Sequence, residues 1–289
     1  MFGFLNIDKP LGMTSHDVVA KVRRKLGIKK IGHAGTLDPL ASGVLILCVG
    51  AATRLSEYVM DSTKRYRARV RLGVVTTTYD AEGAVTRERD ATHITRADVE
   101  QALLPFLGAI DQVPPMFSAI KQGGVKLYDL ARAGKTVERE PRAVRIDVLT
   151  VTEWQEPEFT LEVTCSAGTY IRSLAFDLGE ALGVGAHLAG LARVASGRFA
   201  LEQAVTLADF LAAENPQMYL IQPRSDLLGM LPLTLNAEME NDVKHGRMLP
   251  LSGTYAPGTL ALASNVMGET VCVVRASGEF WKPEKVFSE

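Results

Sequence analysis

Residues 32–49 read Gly32-His33-Ala34-Gly35-Thr36-Leu37-Asp38-Pro39-Leu40-Ala41-Ser42-Gly43-Val44-Leu45-Ile46-Leu47-Cys48-Val49. The first half is a loop punctuated by glycine, and Pro39 pushes the residue before it, Asp38, out of the helical region into an extended conformation. The second half, from Gly43 on, is an unbroken apolar run of strand length, the pattern of a strand covered on both faces. A polar loop is therefore fastened to a core strand. By itself, Asp38 reads as an ordinary turn residue in that loop.

Working back towards the start, residues 2–8 read as a short strand, and Lys9-Pro10-Leu11-Gly12 turns the chain. Thr14 or Ser15 can cap a following helix whose apolar face is Val18, Val19, Val22 and Leu26, with Asp17 in its first turn and Gly27 placed to end it. Downstream, residues 64–72 alternate strictly. Lys64, Tyr66, Ala68, Val70 and Leu72 face one way, and Arg65, Arg67, Arg69 and Arg71 face the other. Thr95 with Asp98 resembles a capping box for a helix reaching about Leu107. Residues 114–142 are rich in glycine and basic side chains and weakly periodic, so they are expected to leave the core. Strands are expected over residues 144–154 and 159–165, then a helix with Ile171, Leu174, Ala175, Leu178 and Leu182 on one face. Strands and helices mix without a βαβ rhythm, which favours an α+β domain on a mixed, largely antiparallel sheet over a doubly wound one. After about Leu228 short apolar stretches at residues 259–263 and 270–275, separated by turns, suggest a small β-barrel-like appendix.

The chain has 289 residues, 47% of them hydrophobic and 22% charged, the balance of a protein with a substantial core and room for two domains. Its first residues lack a basic segment and turn polar at Asp8, and the longest apolar run, residues 43–52, is too short for a bilayer, so a cytoplasmic protein without a membrane span is expected. Cys48, Cys165 and Cys272 are far apart with no metal-ligand spacing and read as core thiols. The net charge of -1 conceals an asymmetry: residues 1–75 hold 13 Lys/Arg against 5 Asp/Glu, and residues 114–145 hold seven basic side chains against three acidic ones. Such a distribution can place a basic surface on a nearly neutral molecule, which phosphate binding requires, although a solvated basic face without a partner has the same signature. Arg172 lies in the first turn of its helix, where the dipole disfavours a cation. A nearby anion would explain it, either a carboxylate such as Asp38 or an RNA phosphate; a side chain reaching out to solvent would as well.

The segment 32–45 resembles the catalytic motif of the TruB family of tRNA pseudouridine synthases. Further matches stand in the family's order: Asp8-Lys9-Pro10-Leu11-Gly12-Met13-Thr14-Ser15, Lys64-Arg65-Tyr66, Asp80-Ala81-Glu82-Gly83, Pro114-Pro115-Met116-Phe117-Ser118-Ala119-Ile120-Lys121 and Gly168-Thr169-Tyr170-Ile171-Arg172. The resemblance implies a pseudouridine synthase catalytic domain over residues 1–228, an RNA-gripping thumb at 114–142, and a PUA-like RNA-binding domain at 229–289. It implies Asp38 as the carboxylate that attacks the target nucleotide and Arg172 as its ion-pair partner. It further implies Tyr66 stacking on the flipped base, Tyr170 and Leu191 in the uridine pocket, His33 entering the T loop, and Asp80 as another polar residue of the site. The implied substrate is uridine 55 in the T loop of tRNA, with no cofactor, no membrane and no required protein partner.

The residue types suit that chemistry independently. Forming pseudouridine breaks the bond from N1 to ribose C1′ and joins C5 to C1′ without redox change or hydrolysis, consistent with a chain lacking a P-loop, a dinucleotide fingerprint and a metal cluster. The nucleophile must stay ionised in a dry pocket, which a neighbouring Arg favours, and the extruded base needs an aromatic surface. Attack at C1′, attack at C6 and elimination to a glycal all remain open to Asp38. A tRNA-folding chaperone without chemistry, a guide-dependent pseudouridine synthase of the dyskerin type, and a glycosidase are the rivals. The last lacks a convincing second carboxylate.

Overall fold

The structure, a computed structural model, describes residues 1–287. Its first half contains β1 (Gly3–Lys9), α1 (Ser15–Leu26), β2 (Ile31–His33), β3 (Ala41–Val49), α2 (Ser56–Met60), β4 (Lys64–Leu72), the hairpin β5 (Val74–Thr76) with β6 (Val85–Glu88), α3 (Arg96–Leu103) and β7 (Gly108–Gln112). A second hairpin, β8 (Lys121–Gln122) with β9 (Val125–Lys126), and α4 (Leu127–Arg132) follow, then β10 (Arg142–Gln155), β11 (Glu158–Cys165), α5 (Ile171–Ala181), β12 (Ala186–Ser196), β13 (Phe199–Ala200), β14 (Val205–Thr206), α6 (Leu207–Ala212) and α7 (Ser225–Leu228). The chain closes with β15 (Leu231–Leu235), α8 (Ala237–Lys244), β16 (Leu249–Pro250), β17 (Leu260–Asn265), β18 (Thr270–Ser277) and β19 (Phe280–Val286).

Ten strands make one sheet in the order β14-β1-β3-β12-β4-β11-β10-β7, with β13 beside β12 and β2 beside β3. Only β1 with β14 and β12 with β3 run parallel, so the sheet is mixed and largely antiparallel as the patterning suggests. β3 lies inside it, and both of its faces are covered. Leu45, Leu47 and Val49 join the core under α1, α3, α5 and α6, while Val44, Ile46 and Cys48 pack on the opposite face with Leu55 and Val59. That double burial is why its sequence shows no alternation. β4 has one covered face, and its alternation survives intact: Tyr66, Ala68 and Val70 are buried, while Arg65, Arg67, Arg69 and Arg71 are exposed.

Local signals set the helix ends. Thr14 caps α1 in a reciprocal box with Asp17, and Gly27 closes the helix in the left-handed conformation at φ 68°. Thr95 and Asp98 repeat the box for α3, which ends at Leu103 rather than Leu107 because Pro105 converts the last turn to a 3₁₀ turn over Leu104–Phe106.

Residues 114–142 hold a small hairpin and α4. Among the described residues the C-terminal strands form an open five-stranded sheet, β15-β17-β18-β19-β16, whose end strands do not pair, so the barrel is not closed. This sheet rests on the second face of the large one, where Leu228, Met230, Leu262 and Val273 meet Phe4, Val44 and Ile46. A central strand that periodicity does not show is β12. Its Ala-His-Leu-Ala-Gly-Leu-Ala-Arg sequence alternates poorly, and register shifts at Leu188/Gly190 and Arg193/Ala195 interrupt the period of two.

Candidate active site

The Asp38 loop bridges β2 and β3 and is held from two sides. At the start of α1 the Ser15 hydroxyl donates to the Leu37 carbonyl (3.0 Å) and accepts from the Leu37 N–H (2.8 Å), while the Gly12 N–H reaches the Pro39 carbonyl (2.9 Å). From beneath, Arg193 of β12, only 2% exposed, donates through Nε to the Val44 carbonyl (2.7 Å) and through its terminal nitrogens to the carbonyls of Gly35 (3.1 Å) and Thr36 (3.5 Å). β12 comes so close that a Cβ on Gly43, at φ 95°, would stand 2.3 Å from the Arg193 carbonyl oxygen. Only glycine fits there. The buried Lys9 ammonium ties the preceding turn to itself through the carbonyls of Pro10 (2.9 Å) and Met13 (2.6 Å).

Arg172 reaches this loop from the first turn of α5. One terminal nitrogen is 3.0 Å from the Asp38 carboxylate and donates to the Phe117 carbonyl (2.9 Å). The other is 3.5 Å from the Asp80 carboxylate and donates to the Thr78 carbonyl (3.2 Å). Its partner is thus an anion of the protein, the Asp38 carboxylate, shared with a second one. Asp80 is fixed in turn by the Glu82 N–H (3.1 Å) and a pairing of its backbone with Leu188. The Arg172 side chain is 7% exposed and that of Asp80 4%, but Asp38 is 38% exposed. A buried cation holds the back of a carboxylate whose front is open.

Of the remaining residues singled out in the sequence, Tyr66, Leu191 and Tyr170 stand near the pair. Tyr66 is buried on β4, and burial pushes its hydroxyl above the usual range against the opposing pull of Arg193, its register partner on β12. Leu191, half-buried, lies between Ala41 and Ala68, three residues from Asp38 and two from Tyr66 along their strands. Tyr170 caps α5 and exchanges hydrogen bonds with the Gln112 side chain at 2.7 and 3.0 Å; burial raises its hydroxyl as well. His33 is not brought to Asp38 or Arg172. It sits at the far end of the loop with its ring edge-on to His16 (5.1 Å, 84°), and burial first, then His16 and Arg193, lower its pKa to about 4.

Sequence reading misses Arg193, Lys9 and the carbonyls of Thr78 and Phe117. Backbone oxygens leave no trace in a sequence, but a lone cation in an apolar stretch does: Arg193 follows Leu191-Ala192 and precedes Val194-Ala195. Glu82 is another omission. Burial, Asp80 and Asp38 raise its pKa, and Arg172 and Lys9 counter them, which brings it into the same cluster of charge. The basic face of β4, by contrast, points away from Tyr66 by strand alternation, so Arg65, Arg67, Arg69 and Arg71 do not line the Asp38 pocket.

The model of the TruB family pseudouridylate synthase N-terminal domain matches residues 23–171, and that of the tRNA pseudouridylate synthase B C-terminal domain matches 172–225. The chain belongs to the TruB family. Members named tRNA pseudouridine synthase B include one from Symbiobacterium thermophilum, 52% identical over 84% of this chain and 82% of that protein. Another, from Geobacillus kaustophilus, is 44% identical over 97% and 99%. Among solved structures, a Cbf5–Nop10–Gar1 complex matches with a TM-score of 0.77 at 30% identity, covering 99% of this chain and 85% of that one. An H/ACA ribonucleoprotein bound to a substrate RNA containing 2′-deoxyuridine matches with a TM-score of 0.76 at 28% identity, covering 100% and 86%. This TruB family chain therefore has the pseudouridine synthase fold on its mixed sheet. Asp38, Tyr66, Asp80, Tyr170, Arg172, Leu191 and Arg193 lie within the two matched segments, Lys9 and Ser15 precede them, and β15 to β19 lie beyond them.

Proposed function

We propose that this pseudouridine synthase isomerises uridine 55 in the T loop of tRNA, with Asp38 as its nucleophile. The observation that carries the assignment is the asymmetry of the ion pair, a 7% exposed Arg172 side chain behind a 38% exposed Asp38 at 3.0 Å. The guanidinium orients the carboxylate and favours its charged form, while the open side admits a nucleotide. Extruding the base costs about a few kcal/mol, to be recovered by stacking on Tyr66 and packing against Leu191 and Tyr170. His33, at the opposite end of the loop from Asp38, is assigned to the space the extruded bases leave. Asp80 serves as the second anion on Arg172. In the reaction the N1–C1′ bond breaks and N1 takes up a proton, while C5 joins C1′ and gives up its own proton, so the product is an isomer and no co-substrate is consumed.

In this reading residues 1–228 form the catalytic domain, with residues 114–142 as a thumb that grips RNA, and residues 229–289 act as a PUA-like domain on the acceptor arm. The thumb is joined to the site directly, since Arg172 takes the Phe117 carbonyl as a partner. The enzyme works in the cytoplasm and without a protein partner. Relatives 44–52% identical are named for tRNA, whereas the solved neighbours that belong to H/ACA assemblies are 28–30% identical. No helix among the described residues is long and apolar enough to cross a membrane.

The test pairs tRNA binding with release of tritium from uracil C5, using pure protein and a tRNA transcript alone. Asp38→Asn should bind but lose on the order of 10⁴-fold or more in rate, the scale of a deleted nucleophile. Substantial release by that variant would remove Asp38 from the chemistry. Wild-type activity that appears only with a guide RNA or partner proteins would favour the dyskerin-type alternative.

A further inference from the structure

Between Thr78 and Asp80, the two groups that share one nitrogen of Arg172, stands Tyr79. It is the one non-glycine residue with a left-handed backbone among the described residues, at φ 63°. A bulky side chain is rarely found there, and the conformation persists only where the surroundings enforce it. Here the enforcement is visible. The Tyr79 ring stacks on Phe176 with centroids 4.0 Å apart and planes at 16°, its N–H donates to the Thr76 carbonyl (3.3 Å), and its carbonyl accepts from the Leu188 N–H (3.0 Å). Phe176 lies four residues after Arg172 on α5, so the two share one helix face. The same turn of backbone therefore meets α5 twice, once through the aromatic stack and once through Arg172.

We propose that Tyr79 is a positioning residue for catalysis: the Tyr79–Phe176 stack holds the backbone in its left-handed turn and so keeps the Thr78 carbonyl and the Asp80 carboxylate on Arg172. The opposite nitrogen of the guanidinium is then presented to Asp38 in a fixed plane. Relaxation of Tyr79 to an ordinary backbone would swing its two neighbours in different directions, and Arg172 would lose the pair of anchors that sets its tilt. The proposal rests on the reading of Asp38 as the nucleophile and Arg172 as its partner.

Two substitutions at position 79 separate this role from simple packing. Tyr79→Val removes the stack and retains a side chain that resists the left-handed region; Tyr79→Gly removes the stack and accepts that region freely. Single-turnover rates at saturating tRNA should fall on the order of 10²-fold for Tyr79→Val, the scale of a small misplacement of reacting groups, and clearly less for Tyr79→Gly. Tyr79→Phe, which keeps the stack, should retain the rate, and the Kd for tRNA should change little throughout. If the side chain only fills space, the order reverses, because glycine leaves the larger void, and that reversal or a uniform wild-type rate would overturn the proposal. Should Tyr79→Val not fold, Phe176→Leu tests the stack from the other side. It should slow the reaction, and the double variant Tyr79→Gly/Phe176→Leu should recover part of the loss; a further loss would count against the role. Asp38→Asn in the same assay distinguishes the premise, since an active Asn variant would overturn the site reading and this proposal with it.

Discussion

The two buried arginines at the site do different work. Arg172 pairs with carboxylates, whereas Arg193, beside the Tyr66 hydroxyl, donates to carbonyls of the Asp38 loop and of β3 and serves as a latch for the backbone. A lysine cannot reproduce a fork that spans three carbonyls. Arg193→Lys should lower stability by about 3 kcal/mol, the order expected when buried acceptors lose charged donors, and should slow turnover; a denaturation midpoint equal to wild type would refute the latch. His33 supplies a pH signature. Its folded pKa of about 4 lies below the ordinary value of 6.5, so between those limits the unfolded chain binds a proton that the folded chain does not. Stability should therefore fall as pH drops from about 6.5 to 4, and His33→Gln should lack that component. The half-buried Asp177 titrates in the same range with the opposite sign, its pKa raised to about 6 chiefly by desolvation. The difference between variant and wild type, measured as Tm against pH, isolates His33; superimposable curves would exclude the effect.

Two neighbouring side chains at the start of α1 separate helix stability from site geometry. Thr14 caps the helix, whereas Ser15 binds both the N–H and the carbonyl of Leu37, next to Asp38. Thr14→Ala should cost about 1 kcal/mol and leave kcat unchanged. Ser15→Ala should cost roughly 1–3 kcal/mol and reduce kcat too, because a buried N–H and a carbonyl lose their partner; equal kcat for the two variants would contradict the distinction. On β4, Tyr66→Ala should forfeit the stacking surface, worth about 1–3 kcal/mol per base, and destabilise the fold, because the ring is 9% exposed and part of the core. Product formation at the wild-type rate would exclude Tyr66 from the site. These elements are the ones a sequence displays openly: capping boxes, strict alternation on β4, the unbroken apolar run of β3. β12 is not legible in that way. Its small residues and two bulges blur the period, and its place depends on pairing with β3 and β4, strands more than a hundred residues earlier. The same limit applies at the site, where Asp38 and Arg172 can be picked out as residues but the carbonyls of Thr78 and Phe117 become neighbours only through the fold.

For the molecule as a whole, charge sets how RNA is met. Lys9, Arg172 and Arg193 are buried and committed to internal partners, so they do not attract RNA from solution; exposed cations such as Lys121, Arg132, Lys135, Arg142 and Arg145 must do so. Affinity for tRNA should fall with salt, by roughly 0.7 log units per tenfold rise in salt for each single-strand phosphate neutralised, and a flat response would contradict a basic-face encounter. The oxidising environment, by contrast, should matter little to the cysteines: Cys48, Cys165 and Cys272 are buried and unpaired, and burial raises their thiols to about 12, 11 and 12. The Arg193 latch also has a consequence in time. It joins the Asp38 loop to a residue 158 positions further along the chain. At the usual pace of synthesis, about 5–20 residues per second, roughly 8–30 seconds separate the translation of that loop from the translation of its latch. A ribosome that stalls in that interval displays the loop on a nascent chain without the arginine that organises it, so the enzyme reaches competence late in its own translation.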